Sequence, residues 1–239
     1  MPIISNWLKL NNTMILPNEI MWFVFLLVDL TAALIIFKLF GRYGLYGLIV
    51  MNMVVCNIQV LKIIKLFGIT TTLGNILYAS IFFSTDILGE KYGKNAARQG
   101  VWIGFAMLIL AMIYMQLALM FKPDKSDFIQ PALMQIFGIY PRVVIGSVAA
   151  YLASQLHDVW AFDFWKKKTQ GRFLWWRNNA STMVSQGIDS IIFVFIVFWG
   201  VFPWDEFWQI LGTTYVIKFV IAAFDTPFIY IATRLKQRQ

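Results

Sequence analysis

Residues 70–94 read TTTLGNILYASIFFSTDILGEKYGK. The fold turns on whether this stretch crosses a membrane, because it is apolar in the middle and polar at both ends. It opens on threonines and closes on Glu90, Lys91 and Lys94, with Asp86 at its inner end. A charge in hydrocarbon is costly, so an intramembrane acid is expected to face a bundle interior or a wet cavity. Read as a span, the stretch puts a polar, functional residue in the middle of an otherwise greasy chain.

Working outward from it, apolar runs long enough to span, about 20 residues each, cover approximately 19–40, 43–66, 70–89, 98–121, 131–157, 179–202 and 206–233. The chain has 239 residues, 59% hydrophobic and 13% charged. A soluble surface of this size needs about 25% charged residues. The expected fold is all-α: a polytopic membrane bundle of seven transmembrane helices, with no separate soluble domain. Three parts are expected: an extracytoplasmic segment 1–18, a first helix 19–40, and a core 43–235.

Charge checks the helix count. Alternating the loops puts Lys38, Arg42, Lys91, Lys94, Arg98, Lys166, Lys167, Lys168, Arg172, Arg177, Arg234, Lys236 and Arg238 on one side. The other side holds only Lys9, Lys62, Lys65, Lys122 and Lys125. The richer side is expected to be cytoplasmic, with the N-terminus outside and the C-terminus inside. Removing one span scrambles the division. The net charge of +8 is thus a topology signal, and no nucleic-acid partner is expected. The N-terminal MPIISNWLKLNNTMILPNEI lacks the pattern of a cleaved signal peptide. Cys56 is the single cysteine, which excludes an intrachain disulfide and a cysteine metal cluster.

Polar residues cluster in several spans. In the sixth, Asn178, Ser181, Thr182, Ser185, Gln186 and Asp189 recur every three or four residues and share one helical face. Interhelical hydrogen bonding accounts for the serines. It accounts poorly for Asp189, because a buried carboxylate needs a cation, a proton or a ligand. In the fifth, Arg142 and Asp158 lie about 24 Å apart along a helix, so each must look to other helices. Arg142 follows Pro141 near the outer surface, where snorkelling is an alternative. His157 sits at the cytoplasmic edge and reads as a surface group. The seventh holds Lys218 and Asp225, with Pro227 breaking the ladder just beyond. In the second, Asn52, Asn57 and Gln59 suit either a heterocycle edge or helix contacts. Asp29 stands alone in the first. The loop VWAFDFWKKKTQGRFLWWR (159–177) mixes aromatics with bases, as a lipid-surface segment or a cytoplasmic gate would. No P-loop, HExxH, GxSxG or histidine set is present. The chain is therefore expected not to be an enzyme and to carry no cofactor or metal.

Three longer motifs occur in order: STDILGEKYGKNAARQGVWIGF (84–105), PRVVIGSVAAYLASQLHDVWAFDFWKKKTQGRFLWWRNNASTMVSQGIDSIIFVFIVFWG (141–200) and YVIKFVIAAFDTPFIY (215–230). Together they resemble the queuosine precursor transporter family, also called the vitamin uptake transporter family, over roughly residues 44–235. The resemblance implies a six-helix core in a bacterial inner membrane, with 19–40 as an additional helix. It implies import of 7-cyano-7-deazaguanine, with the aminomethyl relative as a second candidate, for queuosine salvage into tRNA. The family's polar positions fall on Asn57, Asp86, Glu90, Arg98, Arg142, Gln155, Asp158, Asn178, Asn179, Ser181, Asp189 and Lys218.

Substrate contact is expected of Asn57, Asp86, Arg142, Gln155, Asn178, Asn179, Ser181, Ser185, Gln186, Asp189 and Lys218. Proton coupling or gating is expected of Glu90, Arg98, Asp158 and Asp225. A guanine-like edge offers two adjacent N–H donors to one carboxylate, with Asp189 or Asp86 as the candidate. Asn57 or Gln186 is the candidate for the remaining carbonyl, and the 17% aromatic content suits ring stacking. The partners expected are a small 7-deazapurine and the lipid bilayer, with a homo-oligomer left open. Two alternatives stay open: a substrate-binding subunit of an energy-coupling vitamin importer, and a non-transporting membrane scaffold.

Overall fold

The computed structural model describes residues 16–168 and 174–234. The chain forms α1 (Asn18–Gln59), a hairpin of β1 (Ile63–Leu66) and β2 (Ile69–Thr72), then α2 (Asn75–Tyr92), α3 (Lys94–Met120), α4 (Gln130–Phe137), α5 (Tyr140–Lys168), α6 (Leu174–Phe198) and α7 (Trp204–Arg234). Among the described residues, three stretches are long and apolar enough to cross a membrane: Asn18–Gln59, Lys94–Met120 and Gln130–His157. Met183–Phe198 is a shorter apolar helix. Apolar side chains also point outward. Val28 is 59% exposed, Tyr114 60%, Ile145 59% and Val216 56%. A helix that is apolar all round finds its lowest free energy in lipid.

Gly41 divides α1 into two helices at a sharp bend, with φ 58° and ψ −138°. An L side chain avoids that conformation, whereas glycine adopts it readily. The second half of α1 then runs back antiparallel to the first. Leu26, Leu30, Phe37, Leu45 and Ile49 of α1 pack with Ile87 and Leu88 of α2 and Phe105 of α3 in the main core. Gly100 and Gly104 let α3 approach α1 closely. A Cβ at Gly104 would lie 2.5 Å from Met53 Sδ, and one at Gly100 would lie 3.0 Å from Ile49 Cδ1. Small residues four apart are the usual means of close helix packing where lipid supplies no hydrophobic drive.

The structure corrects three span boundaries. The span expected over 43–66 ends as helix at Gln59, and the one expected from residue 70 begins at Asn75. The intervening residues form an antiparallel hairpin, which qualifies the all-α expectation. Its strands, IIKL and ITTT, are rich in β-branched residues, which suit a pleated surface. Phe67 and Gly68 make the turn, with φ 51° and 79°, the signature of a tight hairpin turn. The span expected over 131–157 is two helices. It breaks between Phe137 and Tyr140, and the second part runs on to Lys168. Gln116 Nε2 donates to the Phe137 carbonyl at 2.6 Å, satisfying an acceptor freed at the break.

The hairpin is pinned on both sides. Asn18 Nδ2 donates to Lys65 O, and the Glu19 carboxylate accepts from the Phe67 N–H, both at 2.8 Å. On the other side, Thr70 N–H donates to Gln209 Oε1, and Thr213 Oγ1 donates to Thr70 O, both at 3.1 Å. Thr70, Thr71 and Thr72 are buried.

Candidate functional site

A cavity of about 1060 Å³ runs between the second half of α1 and helices α2, α3, α5, α6 and α7. Helix α2 gives it a continuous wall. Asn75, Tyr78, Phe82, Thr85, Asp86, Gly89 and Glu90 all line it, because steps of three and four keep them on one face. Aromatic walls come from Phe82, Trp102, Phe105, Tyr151 and Phe193. Phe105 and Tyr151 meet at 4.8 Å between centroids, with their rings tilted 57° apart.

The two ends differ. At one end Asn57, Val60, Asn75 and Thr214 are buried, close under the hairpin that begins three residues beyond Val60. At the other, Glu90, Lys94, Arg98, Gln155 and Leu156 are exposed. Asp86 is itself accessible because it faces the cavity, rather than being sunk among packed side chains. Glu90 follows one turn later on the same face, so two acids stand together above the basic Lys94 and Arg98.

Deeper in, Asp189 of α6 forms an ion pair with Lys218 of α7. Both side chains are only about a tenth exposed, at 9% and 10%. The hydroxyl of Tyr78 lies 3.4 Å from each Asp189 carboxylate oxygen. Lys218 Nζ also sits 4.8 Å from the Tyr78 ring centroid, within cation–π range. The cation that the buried Asp189 requires is therefore Lys218, from a helix 29 residues further along. Nearer the closed end, Asn57 Oδ1 accepts from the Ser147 hydroxyl, and Asn57 Nδ2 donates to the Met53 carbonyl at 2.6 Å. Both polar ends of this amide are engaged, and the first of them ties α1 to α5.

Of the residues singled out from sequence, the cavity brings together Asn57, Asp86, Glu90, Arg98, Gln155, Asp189 and Lys218. It does not include Arg142, Ser185 or Gln186. Arg142 donates to Ile196 O at 2.5 Å and Trp199 O at 2.6 Å, satisfying the orphaned carbonyls at the end of α6. Ser185 Oγ lies 3.0 Å from His157 Nδ1, so that histidine meets a neighbouring helix rather than only the surface. Gln186 Oε1 is buried without a hydrogen-bond partner among the described residues. The side chains of Asp158, Asn178, Asn179, Ser181, Thr182, Asp225 and Pro227 lie outside the described residues, as do residues 1–15 of the N-terminal segment. Sequence reasoning missed Tyr78, Ser147 and the aromatic walls. The regular spacing from Asn75 through Tyr78 and Phe82 to Asp86 was the available signal for Tyr78.

Residues 72–232 match the family described as "Putative vitamin uptake transporter". The chain belongs to this family. It is also 41% identical over 219 residues to a "Probable queuosine precursor transporter" of Bacillus subtilis (strain 168), covering 91% of this chain and 96% of that protein. A "Queuosine precursor transporter" of Escherichia coli (strain K12) is 28% identical over 164 residues, 66% of this chain and 71% of that protein. A "Probable queuosine precursor transporter" of Haemophilus influenzae is 28% identical over 162 residues, 65% of each chain. No solved structure matches the chain. Family membership and the apolar helices make it a multi-pass membrane protein, of a transporter family rather than an enzyme family.

Proposed function

We propose that the chain imports a queuosine precursor, 7-cyano-7-deazaguanine or its aminomethyl relative, across the bacterial inner membrane for salvage into tRNA. The reading includes seven spans, the N-terminus outside, the C-terminus in the cytoplasm, and residues 43–235 as the transport core behind an additional first helix. The substrate class rests on the names of the relatives. The observation that carries the mechanism is the membrane-buried Asp189–Lys218 pair beside Tyr78 in an aromatic-walled cavity.

The cavity volume suits a purine-sized ligand with room for water. The ligand's donor edge, an N–H and an adjacent amine, fits one carboxylate bidentately, and Asp189 is the buried candidate. Lys218 and Tyr78 hold that carboxylate compensated until the ligand arrives. Release of Lys218 then frees an ammonium for the ligand's carbonyl. Asn57 is less suited to that carbonyl, because its amide is engaged by Ser147 and Met53. Asp86 and Glu90 stand at the open end as the groups for gating or proton transfer. Import also requires the hairpin end to open, since Asn57 and Thr214 there are buried.

Uptake of labelled 7-cyano-7-deazaguanine, read as queuosine in tRNA, tests this in cells that cannot make the precursor. Uptake restored by the native chain and lost in a well-expressed Asp189→Asn variant is expected. Verified membrane expression without uptake overturns the substrate. Full uptake by Asp189→Asn overturns the role of that carboxylate.

A further inference from the structure

Away from the cavity, the first half of α1 carries Asp29 into the middle of the bundle. Its side chain is buried, at 6% exposure, and Asn52, Ser80 and Ser84 are each at 0%. None of these four residues lines the cavity. Asp29 and Asn52 stand nearly equidistant from the bend at Gly41, so they meet at similar height on the antiparallel halves of α1. Asn52 Nδ2 approaches Asp29 Oδ1 at 3.5 Å, the outer limit of a hydrogen bond. Ser80 lies within reach of the Asp29 carboxyl, although neither Ser80 Oγ nor Asp29 Oδ2 meets a partner in good hydrogen-bond geometry among the described residues. Ser84 follows one turn later on α2, on the face opposite Tyr78, Phe82 and Asp86.

Four oxygens of this cluster have no hydrogen-bond partner among the described residues: Asp29 Oδ2, Asn52 Oδ1, Ser80 Oγ and Ser84 Oγ. In a membrane interior each is expensive to leave unmet. Their chemistry points one way. One oxygen carries charge, one is an amide carbonyl, and two are hydroxyls. A proton on Asp29 would neutralise the charge and add one donor, but it would not close the 3.5 Å gap between Asn52 and Asp29. A hard cation takes oxygen ligands of all three kinds at once. A single positive charge balances the single carboxylate, whereas a divalent ion would leave an uncompensated charge in hydrocarbon. An all-oxygen set also disfavours zinc and copper, which prefer nitrogen and sulfur.

We propose that Asp29, Asn52, Ser80 and Ser84 form a binding site for a monovalent, sodium-sized cation between α1 and α2. Helix α2 carries this site on one face and the cavity wall on the other. Cation occupancy fixes α2 against α1, and so couples to whatever occupies the cavity, with the reciprocity that linkage demands. The site goes beyond the transport reading and does not depend on which substrate the cavity takes.

The test is equilibrium binding of radiolabelled sodium to the purified full chain, with choline chloride holding ionic strength. Saturable binding to the native protein is expected, with loss in Asp29→Asn. Ser80→Ala should weaken affinity at least about tenfold, since losing even an outer-shell partner costs a metal site that much. Sodium chloride, but not choline chloride, should raise the melting temperature of the native chain and leave that of Asp29→Asn unchanged. If Asp29→Asn does not fold, the milder Ser80→Ala carries the comparison. Absence of saturable binding to folded native protein overturns the site. So does equal affinity in native and Ser80→Ala. These outcomes stand apart from the uptake assay, because no 7-deazapurine is present.

Discussion

The two charged regions of the cavity are built from the same residue types and behave differently. At the mouth, Glu90, Lys94 and Arg98 are exposed, so water meets much of their charge. At depth, Asp189, Lys218 and Tyr78 compensate one another with little water. The contrast teaches that an ion pair's consequence depends on its surroundings. A solvated charge contributes little through its neighbours. A desolvated pair makes each partner depend on the other.

The largest test of that contrast is at depth. Asp189→Asn or Lys218→Met alone should abolish uptake and destabilise the protein by about 3–5 kcal/mol, the usual cost of leaving one buried charge unpaired. The double variant should recover much of the stability and none of the uptake. Thermal unfolding beside transport would show this, and equal stability in single and double variants would break the contrast. Next is the closed end. Thr70 and Thr213 are joined by a hydrogen bond of 3.1 Å. In a Cys56→Ala background, Thr70→Cys with Thr213→Cys and a short reducible thiol cross-linker should block uptake, with recovery on reduction. Uptake unaffected by complete cross-linking would mean that the hairpin does not move during import.

A smaller effect is expected at Arg142, which fastens the end of α6 outside the cavity. Arg142→Gln should lower stability by about 1–3 kcal/mol, the cost of buried acceptors left unmet, while folded protein keeps its substrate affinity. A large rise in the uptake KM would instead assign Arg142 to the substrate path. The smallest effect belongs to the mouth. Arg98→Gln should change uptake less than about fivefold, in line with the scale of about 0.2–1 kcal/mol for solvent-exposed charge interactions, and added salt should shrink the difference. A loss as complete as that of Asp189→Asn would erase the distinction between the two regions.

Much of the candidate site was legible from residue chemistry. Asp189 stood out because no interhelical serine network neutralises a carboxylate. The partner was not legible, because Lys218 lies on another helix. Arg142 shows the converse. A lone arginine in an apolar span reads as functional, yet its guanidinium serves two backbone carbonyls that no sequence pattern exposes. Asp29 looked solitary along the chain and gained Asn52 as a neighbour only through the bend at Gly41.

The sequence by itself determined that the chain belongs in lipid, that its acids need compensation, and that the sixth span presents one polar face. Those facts follow from composition and from helical periodicity, both local properties. Only the tertiary structure decided where the spans end, that residues 63–72 fold as a hairpin over the closed end, and which charges meet. Hydropathy counts apolar residues without telling a β-branched strand from a helix turn. Pairing between distant helices is fixed by packing, to which neither composition nor period refers.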